Sequence, residues 1–109
     1  NSIKREITMN KLIAILAIML TTSVQAKDNC IGLSELSETI MSNRQHGTDI
    51  TRLVKLFQKP QYATMRPYVT AKAIEAYEEP RYSTTEYQDN AIADFKNDAF
   101  LECYRVMNK

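Results

Sequence analysis

Glycine is nearly absent from this chain: its 109 residues hold two, Gly32 and Gly47, with three prolines, two cysteines, one histidine and no tryptophan. A chain so poor in glycine has no Gly-rich loop to cradle phosphates. The lone histidine, His46, has no nucleophile partner that the sequence can place beside it, so no catalytic constellation is readable. The cysteines lack Cys-x-x-Cys spacing, the signature of redox and zinc motifs. No sign of charge dominates, with 14 Lys+Arg against 13 Asp+Glu and a formal net charge of +1, which argues against a nucleic-acid partner. Alternation of the strand type and runs of β-branched residues are missing too, leaving a helical periodicity throughout one small domain.

The longest apolar run, Leu12 to Leu20, follows Met9-Asn10-Lys11 and precedes Ser23-Val24-Gln25-Ala26. A positive start, a short apolar core and a small residue before the cut describe a secretory signal over 1–26, with Met9 as the expected initiator and residues 1–8 as an over-long start. Nine helical residues rise only about 14 Å, too little for a bilayer core, so no stable membrane anchor is expected after cleavage. Lys27, not cysteine, follows the expected cut, which argues against a lipoprotein. The expected location is periplasmic or secreted, with residues 27–109 forming the domain.

Four helices are expected there. Cys30, Leu33, Leu36, Ile40 and Met41 form the apolar stripe of the first, which Gly47 stops. Thr48 or Asp49 caps a second of about ten residues carrying Ile50, Leu53, Val54 and Phe57, closed by Pro60. A third starts near Arg66 with Pro67 in its first turn and carries Val69, Ala73, Ile74 and Tyr77 towards Glu79. The fourth opens with Ser83 and Glu86 as a capping box and Tyr82 packing on Tyr87. Its apolar face, Ala91, Ile92, Phe95, Ala99, Cys103, Val106 and Met107, is expected to be the central packing surface.

The cysteines open the first helix and near the end of the last, so in an oxidising compartment Cys30 and Cys103 form one disulfide closing the domain. In the entropic account such a loop stabilises the fold by about 4 kcal/mol. A redox or metal-binding pair is the alternative. The expected class is therefore an all-α, four-helix domain closed by one disulfide.

Charge is segregated. Arg44 to Ile74 carries six basic residues against Asp49 alone, and Glu75 to Glu102 eight acidic ones against Arg81 and Lys96. Attraction between the halves is expected inside one fold, with a homo-oligomer as the alternative. Asp94, Asp98 and Glu102 recur at i, i+4 and i+8, an acidic face expected to be solvated and to lie near the start of the first helix with Glu35 and Glu38. No metal or other cofactor is expected there, since a calcium site needs a turning loop with more oxygens. Arg81, Tyr82 and Tyr87 form the candidate partner-binding patch, because tyrosine and arginine bury area and keep polar tips.

Cys30 to Gly47, Ala76-Tyr-Glu-Glu-Pro-Arg-Tyr-Ser83 and Phe95 to Cys103 together resemble small exported helical proteins of unknown function encoded by proteobacteria and their prophages. The likeness covers most of residues 27–109 and rests on helix caps, prolines and the cysteine pair. It implies a bacterial envelope setting and transfers no site residue. The expected function is a non-enzymatic interaction protein: an inhibitor, an immunity factor or a phage-derived modulator of an envelope protein. A structural or oligomeric envelope component is the alternative.

Overall fold

The computed structural model describes residues 29–108. The expected signal segment, its cut and Met9 lie outside the described residues. Four α-helices follow one another: α1 over 29–45, α2 Ile50–Phe57, α3 Arg66–Glu78 and α4 Thr85–Met107, with a single 3₁₀ turn, Pro60–Tyr62, between α2 and α3. Among the described residues no helix is long and apolar enough to cross a membrane.

Gly47 ends α1 as its sequence position requires. Its φ of 86° belongs to the left-handed region, and the N–H groups of Gly47 and Thr48 return to the carbonyls of Arg44 and Asn43. Asp49 occupies the N-cap of α2, but neither expected cap is used: the Asp49 side chain makes no capping bond and the Thr48 hydroxyl donates to Asn43 Oδ1 instead. The other end of α2 is closed from a distance. Nε of Arg66 donates to the Phe57 carbonyl at 2.7 Å, and its terminal nitrogen reaches the carbonyls of Gln58 and Lys59. The helix thus stops three residues before Pro60, which opens the following turn.

The core gathers Ile40 and Met41 of α1, Leu53 and Phe57 of α2, and Val69, Ala73 and Ala76 of α3. Ala91, Ile92 and Phe95 pack on it half-buried. This corrects the expectation for α4: at 23 residues it is the longest helix, but Ala99 is its only buried residue, and Val106 and Met107 are 63% and 50% exposed. The interior is made by three shorter helices, and α4 lies across one side of it.

Two further stripes are rotated from expectation. On α1 the buried positions are Cys30, Ser34, Ser37, Ile40, Met41 and Gln45, while Leu33 and Leu36 are half-buried. Two tethers explain this. Cys30 is bonded to Cys103, with Cα atoms 5.4 Å apart, and Glu38 pairs with Lys96 at 3.3 Å. An antiparallel register through both brings Ala99 level with Ser34, where small side chains let two helices approach closely. On α3, Lys72 is buried and Ile74 is half exposed. The long lysine stem fills the inward position and carries its ammonium out to two carboxylates.

Candidate functional site

The connection between α3 and α4 is held by α1. Gln45 is fully buried at the end of α1; its amide nitrogen donates to the Pro80 carbonyl at 2.9 Å and its amide oxygen accepts from the Tyr82 N–H at 2.8 Å. Arg44 donates twice to the Glu79 carbonyl and lies over the Tyr77 ring, 5.2 Å from its centroid. Arg81 folds back on the same end: its Nε donates to the Gln45 carbonyl at 3.1 Å, and its guanidinium occupies the space a Cβ on Gly47 would need. Of the expected patch, Arg81, Tyr82 and Tyr87 are all exposed; Arg81 is tied to the end of α1, while the two tyrosines line a groove.

The tyrosines do form the predicted pair, with centroids 6.1 Å apart and planes at 51°. The cap beneath them is shifted by one residue. Thr84, not Ser83, is the N-cap and accepts from the Tyr87 N–H at 3.3 Å, while Gln88 reaches back to donate to the Tyr82 carbonyl. Glu86 remains in the first turn, where its charge suits the helix dipole.

Tyr82 and Tyr87 open onto a groove of about 420 Å³, whose lining continues along α4 through Asn90, Ala91, Asp94, Phe95 and Asp98, with Met41 and Glu79 on the other side. A second hollow of about 330 Å³ begins where it ends, lined by Lys72, Glu75, Glu78, Glu79, Phe95, Asp98 and Glu102. The acidic face Asp94, Asp98 and Glu102 thus looks towards the acidic end of α3. At the other end Glu102 adjoins Cys103, bonded to Cys30 at the start of α1, whereas Glu38 is paired with Lys96 and Glu35 lines a separate hollow with Ile31, Phe100 and Leu101.

Lys72 closes the far end, 2.7 Å from Glu102 and 3.3 Å from Glu75. Burial alone would lower the pKa of its ammonium, but the hydrogen bonds to Glu102 and Glu75 outweigh it and hold the group above the ordinary lysine value. For the Tyr77 hydroxyl burial acts the other way and raises the pKa, against the pull of Arg44; this hydroxyl donates to the Thr48 carbonyl.

The expected attraction between the charged halves takes a narrow form. Of the six basic residues in 44–74, Lys72 alone makes an ion pair among the described residues. Asp94, Asp98, Glu78 and Glu79 have no cation within pairing distance among those residues. Among the described residues no group of three or more His, Cys, Asp or Glu is placed to hold a metal ion. His46 is exposed at the end of α1, with Nδ1 2.7 Å from the Ser42 carbonyl.

The groove therefore offers an aromatic mouth, an apolar floor and an unneutralised acidic wall, a set suited to a cation carried on an apolar stem. Sequence reasoning had both halves of this set and not their meeting. It missed Glu78 and Glu79, whose place at the α3 C-terminus opposite Asp98 depends on how the helices cross. No protein-family model, curated protein or solved structure matches the chain.

Proposed function

We propose that the protein is an exported, non-enzymatic binding protein that receives a basic polypeptide segment of an envelope partner in the groove between α3 and α4. One observation carries this reading: Tyr82 and Tyr87 share a groove with Glu79, Asp94 and Asp98, and these carboxylates have no cation of their own among the described residues. A lysine or arginine entering it lays its stem on Met41, Ala91 and Phe95 while its charge meets the acidic wall. Inhibition, immunity and modulation of an envelope enzyme are roles such a groove suits. The export component rests on the apolar run Leu12 to Leu20 with its flanks, and on a disulfide that persists in oxidising compartments.

Calorimetric titration with a lysine- and arginine-rich peptide and with its glutamate-rich counterpart tests the groove. The basic peptide is expected to bind and to weaken with added salt, and Tyr87→Ala and the double change Asp94→Asn/Asp98→Asn each to weaken it about tenfold or more. Tyr87 is 59% exposed, so its truncation leaves the fold intact. Equal affinity for both peptides, or variants that bind as the parent does, would reject the reading.

A further inference from the structure

We infer that the same groove is a self-association site and that its occupant is the basic edge of α2 from a second copy of this chain. The inference rests on the reading of the groove as a receiver of cations and adds a specific partner. Arg52 and Lys55 lie on α2 and Lys59 in the turn two residues past its end; all three are exposed, while Leu53 and Phe57 turn into the core. None of the three cations makes an ion pair among the described residues, and neither does Asp94 or Asp98. No residue of α2 lines the groove or the hollow that continues it.

The two features match in length as well as in sign. Arg52 and Lys55 are separated by about 4.5 Å of rise on α2, and Asp94 and Asp98 by about 6 Å on α4. Folding leaves Arg52, Lys55, Lys59, Asp94 and Asp98 without an ion pair among the described residues, and contact between copies pairs them. Exposed pairs are individually weak, so the association is weak and depends on ionic strength.

Sedimentation velocity on the disulfide-bonded protein over a wide concentration range tests this, at salt of about 10 mM and about 1 M, where the Debye length is ~30 and ~3 Å. The sedimentation coefficient is expected to rise with concentration in low salt and to be constant in high salt. Lys55→Glu/Lys59→Glu and Asp94→Lys/Asp98→Lys should each sediment as monomers. Their equimolar mixture should associate again, because the exchanged charges complement each other. All four positions are exposed, so the fold tolerates the changes. A parent protein that stays monomeric in low salt yet binds the basic peptide overturns the second copy as occupant and leaves the groove reading standing. One that does neither removes both, and association unchanged in both variants overturns the assigned faces.

Discussion

Gln45 stands where a helix buries its stripe, and an apolar residue of the same size would fit its space but not its duties. Its amide serves two main-chain groups of the α3–α4 connection, the Pro80 carbonyl and the Tyr82 N–H, and both lose their partner if it is replaced. A buried polar group left unpaired costs about 1–3 kcal/mol. Gln45→Leu is therefore expected to lower stability by about 2–4 kcal/mol in urea unfolding, and to broaden the Tyr82 and Tyr87 signals as the groove mouth loosens. A change below about 0.5 kcal/mol would show that the loop is held by Arg44 and Arg81 instead. A glutamine reads as surface in a hydrophobicity pattern, so its role was invisible. The one available signal was its position four residues beyond Met41 on the line through Cys30, Ser34 and Ser37.

At the scale of elements, the sequence reading and the structure agree where local rules act alone. Gly47 after α1, Pro67 in the first turn of α3, the Tyr82–Tyr87 contact and the Cys30–Cys103 pair all follow from rules that need no knowledge of neighbours. The departures come from tertiary partners: Arg66 closes α2, Lys72 displaces Ile74 from the inner face of α3, and α4 lies on the core and does not fill it. With Ala99 its one buried residue, α4 depends on its tethers, the disulfide and the pairs Lys96–Glu38 and Lys72–Glu102. Reduction, or Cys30→Ser/Cys103→Ser, is expected to destabilise the domain by about 4 kcal/mol in the loop-entropy account. Hydrogen exchange should then accelerate first in α4 beyond Ala99, with α1 to α3 retaining more protection. Uniform acceleration across all four helices would mean that α4 belongs to the same cooperative unit as the core.

Across the whole molecule charge is segregated along the chain, with little compensation among the described residues, and this was the part of the candidate site most legible beforehand. The basic and acidic halves were evident from order along the chain, and the tyrosines from their place at a helix start. That Glu78 and Glu79 join Asp94 and Asp98 around one groove was not, because a helix crossing and not a spacing brings them there. Like charges at i and i+4 destabilise a helix by about 0.2–0.5 kcal/mol per pair, and Asp94–Asp98 and Asp98–Glu102 are two such pairs on α4. Among the described residues only Glu102 of these three is relieved by a lysine, Lys72. On the proposed reading, a ridge kept to attract a basic partner carries this cost. Asp94→Asn/Asp98→Asn is therefore expected to raise the unfolding temperature by about 2–4 °C, from roughly 0.5 kcal/mol in a domain of this size, while weakening the basic peptide. The two readouts must move in opposite senses. A variant that loses stability and binding together would make the aspartates part of the fold's own support, and one that gains stability with binding unchanged would leave the ridge as a solvated face.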